Sequence, residues 1–449
     1  MNETVSPAVT RDAAARRAAV RGGFYPWLVV GLLCVAQILS FADRQVLNLM
    51  VAPIRHDLAI SDTQISLLMG FSFALFYTVC GIPLARIADR GNRRWLITAG
   101  ALAWSLATAS CGLAQRYAHL LAARIGVGVG EATLSPTAFS LITDYFPPSR
   151  RATAQSVYGL GTYVGAGLAF LLGGAVIHFA SRHGALTLPL IGEVRPWQSV
   201  FLILGGAGTA FGLLLLLIRE PASGERGGPT QAPGLWHALR GHRKTLIYHH
   251  LGFAMTAFAG YSSAAWLPSY FIRVRHWTPV EVGLVYGGAV AVFGALGVVA
   301  GGLLADRWGR RGQTDATLRV GVWASLLAIP CTAALLPVQG LAPTALLLAV
   351  AVFLFSMPLG AAVAGLHEIV PPAARAQASA VYLFVLNLVG LGFGPTAVAL
   401  VTDYVFRDDR AVGASLVLVC GTALALAALL LRLGLEPYRR SYARQRAAE

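Results

Sequence analysis

Charge is what this chain has least of. Only 12% of its 449 residues are Asp, Glu, Lys or Arg, about half the ~25% of an ordinary soluble domain. A soluble enzyme or binding module of this length is therefore excluded. Acid is scarcer than base, with 20 acidic residues against 35 basic ones and a formal net charge of +15. Lysine is nearly missing, and Lys244 is the single one. The five cysteines, Cys34, Cys80, Cys111, Cys331 and Cys420, lie far apart in apolar segments. That scatter offers neither a disulfide framework nor zinc-ligand spacing. There is no His-Glu-x-x-His, no Gly-x-Ser-x-Gly and no P-loop, so a metalloprotease, a serine hydrolase and an ATP-driven pump are all disfavoured. No metal and no cofactor is expected. Residues 1–23, rich in Ala and Arg, lack the apolar core of a cleavable signal peptide.

What the chain has in abundance is apolar residues, 56% by count, with a mean hydropathy of +0.64. A membrane span needs about 20 of them in a row. Twelve such segments are expected, at 27–53, 64–88, 95–114, 118–143, 150–179, 198–218, 246–272, 280–304, 318–337, 342–367, 376–402 and 412–433. The arginines crowd one side of that layout. Arg11, Arg16, Arg17 and Arg21, the 219–244 linker, and the tail with Arg439, Arg440, Arg444 and Arg446 all fall there. The positive-inside rule makes that side cytoplasmic, with both termini inside, and accounts for the basic surplus without nucleic acid. The expected layout is a cytoplasmic tail (1–25), a six-helix bundle (26–219), a cytoplasmic linker (220–243), a second six-helix bundle (244–434) and a second cytoplasmic tail (435–449). The Pro/Gly-rich run 221–234 breaks the chain between the halves, and 181–196 is a candidate hairpin on the opposite side.

The halves repeat one another. DYFPPSRRATAQSVY at 144–158 returns as EIVPPAARAQASAVY at 368–382, and ARIADRGNRR at 85–94 returns as GLLADRWGRR at 302–311. Internal repeats with a site between them mark secondary transporters. The paired loops put Asp89, Arg90, Arg93 and Arg94 opposite Asp306, Arg307, Arg310 and Arg311, and the other pair offers Asp144, Arg151, Glu368 and Arg375. Together they form a candidate cytoplasmic gate that closes in one state and breaks in another.

GLLADRWGRR resembles the signature loop of the major facilitator superfamily, and RIGVGVGEA at 124–132 is similar to its fourth-helix signature. FADRQ at 41–45, residues 124–152 and NLVGLGFGP at 387–395 resemble the spinster-like branch. Ala166 after Gly165 stands where drug antiporters carry Gly-Pro. The resemblance implies an all-α membrane protein of twelve transmembrane helices in two pseudo-symmetric bundles, working as a monomer in a bacterial inner membrane.

Few charges lie deep in the spans: Asp43 and Arg44 in the first, Arg124 and Glu131 in the fourth. A charge in lipid costs about 3 kcal/mol or more, so it persists where it is paired, hydrated or working. A carboxylate that exchanges an arginine partner for apolar surroundings changes its proton affinity. Asp43 and Glu131 are the expected protonation sites and Arg124 the switching partner, an assignment that the spinster resemblance supports. Asp43 and Arg44 diverge by about 100°, so at most one is expected to point straight at span four. Arg44 either locks helix one to helix four or binds an anionic headgroup. The second half offers Tyr261, Ser262, Trp266, Tyr286, Tyr382 and Asn387, which with Arg44 and Tyr158 form the expected substrate site. One charged wall and one aromatic wall suit an amphipathic molecule such as a lysophospholipid or a sphingoid lipid. The alternatives are an organic-anion/proton symporter, a lipophilic-drug/proton antiporter and an uncoupled scramblase. His249 and His250 are expected at the membrane interface. Membrane lipids, protons and a small amphipathic substrate are the expected partners.

Overall fold

The structure is a computed structural model that describes residues 23–183, 186–188, 192–221, 241–371 and 374–448. Among the described residues, twelve long helical rods carry the chain: α1 (Phe24–Leu49), α2 (62–90), α3 (Arg93–Cys111), α4 (Tyr117–Tyr145), α5 (Pro148–His183), α6 (Pro196–Leu217), α7 (Arg243–Arg273), α8 (Pro279–Arg310), α9 (Ala316–Ala334), α10 (Leu341–Ile369), α11 (375–406) and α12 (Val412–Ala448). Ten are both long and apolar enough to cross a membrane. The other two, α3 and α7, are long enough at 19 and 31 residues, but each opens on basic residues. A two-turn helix, Val51–Leu58, follows α1. The hairpin expected in the 181–196 loop is a pair of short strands, β1 (Leu186–Leu188) and β2 (Gly192–Val194), with Leu186 opposite Val194.

Local chemistry sets the helix starts. Ser61 and Gln64 bond reciprocally at the head of α2, and Thr278 with Glu281 does the same before α8. Asn92 accepts from the Trp95 amide and opens α3.

In the first bundle α1 runs along α5 and α3 along α6; in the second α7 runs along α12, and α9 packs on α10 and α12. The bundles meet through α2 with α11 and α5 with α8, where glycine removes the side chain that would hold the backbones apart. A Cβ on Gly70 of α2 would stand 2.3 Å from the Leu391 carbonyl oxygen, and one on Gly174 of α5 would stand 2.4 Å from that of Pro279. Three of these four helices carry wide π-helical turns: Leu67–Phe71 in α2, Gly283–Gly287 and Val290–Gly294 in α8, and Leu386–Phe393 in α11. Such turns recur where a helix serves function.

Candidate functional site

The deep charges come together on α1 and α4. Arg124 Nη1 lies 3.3 Å from Asp43 Oδ2. Arg44 donates to Glu131 Oε2 from both Nε and Nη2, each at 2.6 Å, and Ser40 donates to the same oxygen at 2.6 Å. Asp43, Arg124 and Glu131 are buried. The glycines of α4 make this possible. Gly128 faces the Phe73 backbone and Gly130 faces Trp104 closely, so α2 and α3 press against α4. Each carboxylate keeps one bare oxygen: Asp43 Oδ1 and Glu131 Oε1 have no hydrogen-bond partner among the described residues.

The expectation that at most one of Asp43 and Arg44 reaches the fourth span is overturned. Both do, because Arg124 and Glu131 sit two turns apart and the two long arginines bridge the gap from opposite sides. Arg44 is the lock rather than a free headgroup ligand in this state. Its guanidinium lies 4.8 Å from the Phe41 ring centroid, 4.5 Å from Phe73 and 4.8 Å from Tyr77, a cation–π cage.

Beside the charges lies a cavity of about 190 Å³. Tyr261, Tyr286 and Tyr382 line it as expected, together with Phe41, Gln45 and Tyr163, which sequence reasoning missed. A smaller void touching Arg44, Phe73 and Tyr261 joins it to the charge network. The other expected substrate residues lie off its wall. Trp266 is buried and donates Nε1–H to the Pro395 carbonyl at 2.8 Å, tying α7 to α11. Ser262 is buried against Gly394. Tyr158 is buried and donates to Gln37 Oε1 at 2.6 Å. Asn387 lies in the π-helical part of α11. His249 and His250 are not interfacial. They are buried against Tyr382, at 5.5 and 5.6 Å between ring centroids.

The expected gate residues do not assemble across the bundles here. Arg93 is buried and holds Asp144 at 2.5 Å and Glu220 at 2.8 Å, all within the first bundle. The Arg94 amide donates to Glu220 at 3.0 Å. Arg151 caps the Phe146 carbonyl and Arg375 that of His367. Glu368 accepts from Tyr438 at 2.6 Å. Asp306, Arg307, Arg310 and Arg311 are exposed. The side chains of Asp89 and Arg90 lie outside the described residues.

The bundles are fastened at the other end. Arg273 of α7 forks onto Asp62 of α2 at 2.6 and 2.7 Å. Arg55 bridges Asp62 at 3.0 Å and Asp409 at 2.7 Å. The Thr63 amide and hydroxyl both donate to Asp403 at 2.7 Å. Asp62, Asp403 and Asp409 lie close enough to share an ion, but Arg55 and Arg273 already pair with Asp62 and Asp409, and Asp403 accepts from Thr63. Sequence reasoning missed this latch. The available signal was acids and arginines paired in the loops of an otherwise charge-poor side.

Comparison with known proteins gives the following. The Major Facilitator Superfamily profile matches residues 33–395. An MFS-type efflux pump of Mycolicibacterium smegmatis is 30% identical over 420 residues, covering 92% of this chain and 94% of that protein. Protein spinster homolog 1 of Bos taurus is 27% identical, over 90% of this chain and 78% of that one. A bacterial homologue of the human lysosomal transporter spinster, solved inward-facing and unoccupied, superposes with a TM-score of 0.77 at 29% identity, covering 93% of this chain and 97% of that one.

Proposed function

The chain belongs to the Major Facilitator Superfamily, in its spinster-like branch, and on that premise we propose that it is a proton-coupled secondary transporter of an amphipathic, lipid-like molecule. The chain is an integral multi-pass membrane transporter, not an enzyme. As such a transporter it would work by alternating access in a bacterial inner membrane with both termini cytoplasmic. Its cargo is a lysophospholipid, a sphingoid base or a molecule of similar build.

One observation carries this reading: two buried carboxylates, each arginine-paired through one oxygen and bare at the other, stand beside an aromatic cavity. The bare oxygen is where a proton would sit. If movement of α1 against α4 during transport pulled Arg44 or Arg124 away, the orphaned carboxylate would bind a proton, since burial disfavours the charged form. The cavity supplies the other half. Tyrosines, Gln45 and, through the adjoining void, Arg44 offer polar groups, and Val290, Val352 and Leu359 offer apolar ones. The efflux-pump relative supports export as the direction.

Proteoliposomes loaded with a fluorescent lysophospholipid test the reading. An imposed pH difference is expected to drive the lipid uphill, and Asp43→Asn or Glu131→Gln to abolish the uphill component while leaving downhill exchange. Equal movement with and without the pH difference would favour a scramblase. Competition by simple carboxylates, with none by sphingosine, would favour an organic-anion symporter.

A further inference from the structure

The start of α7 and the end of α12 enclose a second cavity, of about 610 Å³, at the arginine-rich end and well away from the transport cavity. Five basic side chains line it: His242, Arg243, Lys244, Arg440 and Arg444. One acid lines it, Glu436, and Arg439 and Arg440 already hold it, at 3.7 and 3.0 Å. Arg444 donates to the Gly241 carbonyl at 3.2 Å and thereby keeps its charge at the rim. Burial, and then the Arg444 charge, hold the His242 imidazole below its usual range. With His242 neutral, Arg243, Lys244, Arg440 and Arg444 against the already paired Glu436 still leave the pocket with surplus positive potential. α7 begins here without a side-chain cap, so its first amides and dipole add to that potential.

Below the pocket the same two helix faces turn apolar. Ile247 and Leu251 follow Arg243 at four-residue steps on α7, and both are exposed. Leu433 and Leu429 lie seven and eleven residues before Arg440 on α12, and they too are exposed. At 3.6 residues per turn each set shares one face of its helix. A phosphate held among the cations would thus stand over two stripes made for acyl chains. Basic pockets between membrane helices at the basic side are suited to anionic headgroups.

We propose that this pocket binds the phosphate headgroup of an anionic phospholipid, as a site separate from the transport cavity. The chemistry asks for a phosphate, and the apolar stripes assign that phosphate to a bilayer lipid rather than to solution.

Native mass spectrometry of the full chain tests this, with phosphatidylglycerol, phosphatidylcholine and inorganic phosphate as probes. Phosphatidylglycerol should be retained over phosphatidylcholine. Lys244→Gln with Arg444→Gln should lower that preference about fivefold per cation removed, and Lys244→Arg with Arg444→Lys should keep it. Lys244→Gln alone removes an exposed side chain and keeps the test open should the double variant misfold. A preference that survives the neutral variants would overturn the proposal. So would the absence of any preference in the unaltered chain, or displacement of the lipid by inorganic phosphate.

Discussion

At the scale of single residues, Arg44 joins the charge network to the cavity. It reaches Glu131 through two nitrogens and lies among three rings. Lysine in its place would be a point charge without the planar fork or the ring stacking. Arg44→Lys should therefore cost on the order of 1–2 kcal/mol, read as a lower thermal midpoint in detergent. It should also slow uphill transport. An unchanged midpoint together with unchanged transport would show that the cage is incidental. Glu131→Gln is the harsher change, since breaking a buried pair from one side costs about 3–5 kcal/mol. The sequence made part of this legible. Charges are so rare in the spans that Asp43, Arg44, Arg124 and Glu131 stood out, and the seven-residue spacing put two of them on one face. The pairing itself was hidden, because periodicity fixes where a side chain leaves its helix and not how far an arginine reaches. The cage was hidden as well. Phe41, Phe73 and Tyr77 lie on two helices in a chain full of aromatics, and nothing in their spacing singles them out.

At the scale of elements, the glycine contacts between α2 and α11 and between α5 and α8 hold one end of the molecule closed. A side chain at Gly70 would meet backbone oxygen at 2.3 Å, and backbone cannot swing aside as a side chain can. Gly70→Val should push α2 from α11 and favour the state open at that end. Asn48 gives the readout. It is buried and donates to the Ala264 carbonyl at 3.1 Å. In a background without the five native cysteines, a cysteine at 48 should react faster with a membrane-impermeant thiol reagent when Gly70→Val is present. Gly31→Val, where nothing lies within 4 Å of the added carbon, should change nothing. Equal labelling in both variants would mean that the contact does not set the closed end. The helical rods, ten of them long and apolar enough to span among the described residues, were legible because lipid leaves so few ways to satisfy a backbone. The π-helical turns in α2, α8 and α11 were not, since one extra residue per turn leaves no mark on hydropathy.

At the scale of the whole molecule, the two ends hold their charges differently. At the arginine-rich end Arg93, Asp144 and Glu220 pair inside one bundle, while at the other end Arg55, Asp62, Arg273 and Asp409 pair between bundles. The repeated loops pointed to the first end, because repetition is what a duplicated gene displays. The latch has no repeat. It joins the α1–α2 loop of one half to α7 and the α11–α12 loop of the other, and so escaped notice. Exposed ion pairs contribute about 0–1 kcal/mol each, whereas reversing a 1:99 population takes about 5.5 kcal/mol. The exposed Arg55–Asp409 pair therefore cannot hold the closed end alone; the buried Asp62 pairs and the glycine-lined contacts must act with it. Removing one arginine should shift the balance without abolishing transport, whereas a covalent tie should abolish it. Thr63→Cys with Asp403→Cys, joined by a short bifunctional thiosulfonate, provides that tie where the two residues now bond at 2.7 Å. The joined protein should still bind a fluorescent lysophospholipid from the arginine-rich side but move none across the bilayer, and reduction should restore movement. Full transport by the joined protein would mean that cargo crosses without this end opening, as a lateral lipid path would allow. The charges on α1 and α4 would then need a task other than coupling protons to a rocking motion.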